Sequence, residues 1–222
     1  MSVICQCPAA TALTDVPTVT CPVSFGQIQK VAFQRLLKAD GTKNGFGSTA
    51  PITTKASWTA LLSAADATKV VVSPYINSPA DAGGDARLSA GGNDDLGGVQ
   101  DVLGGNPVTF TGSLRAIPQD IIAILKELTC ESNAGNLGVY LFDENGQIEC
   151  IKKVTGTGND AVTTYHPIPI RAFFVGDKIH GNYDAKDSNA ISWSYMPNYS
   201  DDLVIVSPTD FNPLTDLVVT SS

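Results

Sequence analysis

Asp143-Glu144-Asn145-Gly146 stands between two apolar runs, 137–142 and 147–154. Asn-Gly between such runs is a strong short-range hairpin signal, because a tight two-residue turn asks for positive φ at both central positions. The chain is thereby committed to antiparallel β structure around 137–154. A second segment agrees: Ile191, Trp193 and Tyr195 alternate with Ser192 and Ser194, the period of a strand with one buried and one wet face. Further strands are predicted at 27–35, with Val31 and Phe33 on one face, and at 70–72, 108–112, 169–175 and 203–206.

Two short helices complete the inventory. Trp58, Leu61, Leu62 and Ala65 form a weak stripe behind Ser57 as the expected N-cap, so this helix needs a sheet to pack on. Pro118 opens the better helix, whose stripe is Ile117, Ile121, Ile124, Leu125 and Leu128. The predicted fold class is mainly β (α+β), a β-sandwich or half-barrel with two short flanking helices and extended arms. The predicted organisation is an N-terminal arm at 1–24, a single β-rich domain at 25–206 and a C-terminal arm at 207–222 containing Pro208 and Pro213. Within the domain, 77–106 reads as a long Gly-rich loop, with glycine pairs at 83–84, 91–92, 97–98 and 104–105.

Composition narrows the function. Of 222 residues, 22 are acidic and 14 basic, a net charge of −8, and Lys152-Lys153 is the only adjacent basic pair. Stable phosphate binding needs a basic face, so nucleic acid is not expected as a held ligand. An acidic surface past which DNA slides without sticking remains compatible. The start of the sequence lacks signal-peptide character and no window has the roughly 18 apolar residues of a membrane helix, so no membrane partner is expected and assembly in a cytoplasm is.

Catalytic and metal patterns are weak. The five cysteines (Cys5, Cys7, Cys21, Cys130 and Cys150) are odd in number and do not read as a disulfide framework. Cys5-x-Cys7 with Cys21 offers three thiolates to zinc but no evident fourth ligand. Cys130 and Cys150 read as structural. Asp94, Asp95 and Asp101 among glycines resemble Ca²⁺-binding nonapeptide repeats only faintly, since the glycine pairs recur at 8, 6 and 7 residues and not at nine. His166 and His180 are the only histidines, and no Gly-x-Ser-x-Gly elbow accompanies them. The adjacent acids Asp143-Glu144 and Asp201-Asp202 read as solvated turn residues rather than a glycosidase pair. Trp193, Tyr195, Tyr199 and Tyr183 leave a carbohydrate-binding module as an alternative, although alternation with serine favours packed sheet. The expectation is a protein that is not an enzyme, without catalytic, metal or cofactor residues and without a small-molecule substrate.

Three stretches carry a family resemblance. They are Cys21-Pro-Val-Ser-Phe-Gly-Gln-Ile-Gln-Lys-Val-Ala-Phe33 after a cysteine-bearing start, Gly104-Gly-Asn-Pro-Val-Thr-Phe110, and the closing Trp193…Pro197…Asp201-Asp-Leu-Val-Ile-Val-Ser-Pro-Thr-Asp-Phe-Asn-Pro213. Together they resemble phage virion structural proteins, in particular the tail tube (major tail) proteins of Bacteroides-type phages or a related neck or head–tail component. The resemblance implies a virion subunit whose copies form rings, commonly six-fold. Strands of neighbouring subunits line a channel for DNA ejection, and the rings stack through loops and arms. Partners would be copies of the chain and other virion proteins, with DNA as transient cargo; a head or neck accessory protein or a fibre is the alternative within the same class. Cys5, Cys7, Asp85, Asp94, Asp95, Phe211 and Leu214, on the segments with spare length, are the candidate subunit-interface residues.

Overall fold

The computed structural model describes residues 16–19, 24–93, 95 and 97–218. In chain order the elements are β1 (Ile28–Arg35), α1 (Lys55–Leu62), β2 (Val70–Val72), β3 (Asn77–Gly83), β4 (Ala86–Leu88), β5 (Val102–Gly105), β6 (Val108–Arg115), α2 (Gln119–Asn133), β7 (Leu137–Asp143), β8 (Ile148–Thr155), β9 (Val162–His166), β10 (Ile168–Val175), β11 (Ser188–Tyr195) and β12 (Leu203–Val206). The mainly β prediction with two helices holds. Eight predicted strands appear, and β3, β4, β5 and β9 are additional. Three of these four arise inside 77–106, the stretch read as loop.

Ten strands form one antiparallel sheet in the order β12-β8-β7-β10-β11-β6-β3, with β1 on β7, β2 on β1 and β9 on β8. The sheet curls back on itself. Ser73 N–H donates to the Val31 carbonyl at 2.8 Å and Ile76 N–H to the Gln29 carbonyl at 2.8 Å, so the chain leading into β3 lies along β1. The strands β1, β7, β10, β11, β6 and β3 therefore surround one apolar interior.

That interior is aromatic at its centre. The Trp193 ring stacks on Phe110 with centroids 3.9 Å apart and meets Phe33 edge-on at 6.0 Å. Val31, Val139, Leu141, Ile170 and Ile191 close around them. A second core lies on the other face. Trp58 of α1 packs against Phe46, Tyr140 and Phe142 with centroids 4.7–5.6 Å away, and its indole N–H donates to the Ile52 carbonyl at 2.8 Å. β7 separates the two cores and is buried along its whole length: Val139 and Leu141 face one, Tyr140 and Phe142 the other.

Three local readings are corrected. The β7–β8 turn is wider than a two-residue turn: Gly146 has φ 76° but Asn145 does not take positive φ. The buried Asp143 carboxylate organises it, accepting from the N–H of Gln147 (2.7 Å), Asn145 (3.0 Å) and Gly26 (3.0 Å). On α2 the buried positions are Ile122, Leu125 and Ser132, while Ile124 is exposed, because Ser132 must face β10 to accept the Phe173 N–H at 3.0 Å. α1 begins at Lys55 and not after Ser57; its first free N–H is taken by Asp210 at 2.8 Å rather than by a local cap.

Asp210 belongs to the stretch expected as the C-terminal arm. Between 207 and 218 this stretch lies on the second core: Leu217 is buried and Phe211 and Leu214 pack partly against it. The Leu214 carbonyl accepts from the Lys30 ammonium at 2.6 Å, and that ammonium also sits 4.3 Å from the centre of the Tyr75 ring. Residues 219–222, and 1–15 and 20–23 of the N-terminal arm, lie outside the described residues.

Candidate self-association surface

β3 and β6 pair through Asp81↔Phe110, Ala82↔Thr109 and Gly83↔Val108 and then leave the sheet together as a ribbon. The ribbon continues as the β4–β5 hairpin, paired at Ala86↔Gly105, Arg87↔Gly104 and Leu88↔Val102. Every residue of β4 and β5 is exposed. Leu88, Val99, Val102 and Leu103 all present apolar side chains to solvent, Val102 at 71% of its full area. A two-stranded ribbon has no interior of its own and is marginal in water. These large apolar side chains sit on a ribbon whose edges are unpaired among the described residues, which makes it the candidate surface for a partner.

The tip is nonetheless ordered from within. The Asp95 carboxylate accepts from the Gly91 N–H at 2.6 Å and from the Ser89 hydroxyl, while Asp101 N–H donates to Ser89 Oγ at 2.8 Å. Of the seven candidate interface residues, Asp95 organises the tip and exposed Asp85 closes the base, its carbonyl accepting the Asn106 N–H at 2.8 Å. Phe211 and Leu214 lie against the protein's own second core. Cys5, Cys7 and Asp94 fall outside the described residues. The sequence candidates in this stretch are its acids, whereas the structure exposes the apolar Leu88, Val99, Val102 and Leu103. The signal was there: apolar residues inside a stretch too rich in glycine to bury them.

No protein-family model matches the chain, and no curated protein matches it. Two solved assemblies share a loose likeness. The tail of an empty GTA particle, refined with C6 symmetry, matches at 8% identity over 60% of this chain and 82% of that one, with a TM-score of 0.28. The 6-fold symmetrised baseplate of the anti-feeding prophage matches at 10% identity over 86% of this chain and 98% of that one, with a TM-score of 0.33. At these TM-scores the likeness bears no weight for fold or function.

Where the ribbon leaves the sheet, carboxylates meet the aromatic interior. Asp81 stands opposite Phe110, which stands opposite Trp193, so the three share the inward face. Glu149, opposite Leu141 on β8, shares that face from the other side. Burial, then the charges of Asp81 and Asp143, push the Glu149 carboxyl up to about 7. Asp81 is exposed as a residue, yet desolvation of its carboxyl raises its pKa too. Burial and then Asp81 raise the Tyr195 phenol, whose ring stacks on Tyr199 at 4.4 Å. Among the described residues, Trp193 Nε1 and the Tyr195 hydroxyl lack hydrogen-bond partners.

The residues considered for catalysis are occupied or remote. His166 Nδ1 lies 2.6 Å from the Asn44 carbonyl and Nε2 2.9 Å from Thr164 Oγ1, so both ring nitrogens are engaged. His180 is exposed, 3.9 Å from the Asp187 carboxylate. Burial and then Glu149 push the Cys150 thiol up to about 12, well away from a reactive thiolate, and Cys130 is exposed on α2. No group of three or more His, Cys, Asp or Glu side chains is placed to hold a metal among the described residues, and no described helix is long and apolar enough to cross a membrane.

Proposed function

We propose that this protein is a structural subunit of a phage particle, of the tail-tube kind, whose copies close into rings that stack around a DNA channel. The observation that carries the reading is the β4–β5 hairpin, a coreless ribbon of exposed apolar residues continuous with the walls of a rigid curled sheet. Association with further copies covers this surface and pairs open edges. The net charge of −8 suits a channel that passes DNA without holding it. The three stretches that resemble tail-tube proteins point the same way. A glycan-stacking platform at Trp193 and Tyr195 is disfavoured, since both rings are buried at 0% and 2% exposure.

Electron microscopy of the purified chain at high concentration, with its mass in solution, tests the proposal. Six-fold rings or stacked tubes are expected. Isolated rings that never stack point to a neck component. A chain that stays monomeric, and is absent from rings in virions, refutes the reading.

A further inference from the structure

Past the Arg35 end of β1, Lys43 and Lys153 line one cavity of about 360 Å³ whose walls include Leu36, Leu37, Ile151 and Pro167. Lys43 comes from the loop after β1 and Lys153 from β8, opposite Thr164 of β9. The Lys153 charge, and then burial, lower the pKa of the Lys43 ammonium, so the two cations stand within each other's field. Neither is in an ion pair among the described residues, and Asp202 is the acid that shares the cavity wall. In a chain with 22 acids and 14 bases, two facing ammoniums beside an apolar wall form a site awaiting an anion that carries apolar neighbours.

The β4–β5 hairpin has that chemistry. Residues 85–106 hold four aspartates against one arginine, and Asp101 sits between exposed Val99 and exposed Val102 and Leu103. Asp101 is exposed, and its carboxylate is in no ion pair among the described residues. Within one copy, no described residue of the hairpin lines the cavity. The chain through Ser73 and Ile76 runs antiparallel to β1, toward the Ile28 end, before β3 carries it into the hairpin.

We propose that the Lys43–Lys153 cavity receives the acidic, apolar β4–β5 hairpin of a second copy, with Asp101 set against the two ammoniums. The proposal rests on the self-association reading above and adds the two surfaces that meet. Because they are two different surfaces of the chain, the contact is head-to-tail and repeats from copy to copy.

The test is a charge exchange on the full chain, read as mass against concentration, with circular dichroism confirming that each variant folds. All three residues are exposed, so folding should survive. Lys43→Glu with Lys153→Glu is expected to weaken self-association about tenfold or more, as is Asp101→Lys alone, and mixing the two variants is expected to restore association between them. Raised salt should weaken the wild-type contact. If the lysine variant associates as tightly as wild type, the docking falls while self-association stands. If it weakens but Asp101→Lys neither weakens association nor rescues the lysine variant, the cavity takes a different acid and the proposed occupant is wrong. A wild-type chain that is monomeric at every concentration overturns both readings.

Discussion

The ribbon that starts as β3 and β6 changes character along its length. Inside the sheet, Phe110 is fully buried against Trp193; a few residues away, Leu88, Val102 and Leu103 of β4 and β5 are exposed. The backbone pairing is antiparallel in both halves, so hydrogen bonding does not distinguish them. What differs is the third dimension. The inner half has β11 beside it and a closed interior beneath, while the outer half has neither. Secondary structure is thus shared between a region that stabilises the fold and one that contributes little to it.

The sharpest way to break this contrast is to empty the inner half. Trp193→Ala should cost about 3–5 kcal/mol of stability in a urea titration, since a fully buried ring with four aromatic neighbours leaves a cavity. A loss below about 1 kcal/mol would mean that the interior is not the unit of stability. Asp143→Ala should cost about 2–3 kcal/mol, because three backbone N–H groups lose their acceptor at the β7–β8 turn. Recovery with Asn but not with Ala would separate hydrogen bonding from packing.

The junction of the two halves should respond to pH. Glu149's folded pKa of about 7 lies above its ordinary value of 4.5, so its contribution to stability is complete below about pH 4.5 and is lost as pH rises through about 7. Asp81, also raised, adds in the same direction. Glu149→Gln should therefore stabilise the protein by about 1–2 kcal/mol at pH 8, discounted for partial exposure, and change little at pH 4. Equal melting temperatures for variant and wild type across that range would remove the coupling. The smallest effect belongs to the outer half: Val102→Asp or Leu103→Asp should shift monomer stability by about 0.5 kcal/mol or less. The same changes should abolish larger assemblies; if assemblies form regardless, the hairpin is not the covered surface.

Much of the inner half was legible because alternation and turn chemistry are local. The Asp143–Gly146 turn, the Ile191-Trp193-Tyr195 strand and the α2 segment all lie where their patterns place them. The rest depended on distant partners. The face of α2 was misassigned because Ser132 is drawn to the Phe173 N–H, a contact no periodicity encodes. The start of α1 was displaced because Asp210, far along the chain, supplies what a local cap would. β3, with a proline, a bulge between Asn77 and Ala80, and positive φ at Ser78, has almost no strand signature and exists because β6 pairs with it. Of the candidate surface, the location in 77–106 was readable from spare length. Its apolar character was not, because the glycines around it made exposure look like looseness.

The tie between Lys30 and the Leu214 carbonyl carries a consequence for how the chain is made. Lys30 lies in the first strand and is 8% exposed, while its carbonyl partner is 184 residues further on. Until residue 214 has left the ribosome, that amine has no such acceptor, and the face of the sheet that Leu217 covers stays open. The nascent chain can curl its strands, but it cannot seal that face before residues 214–217 emerge. Synthesis itself then acts as a clock, holding back closure of that face until residues 214–217 are present.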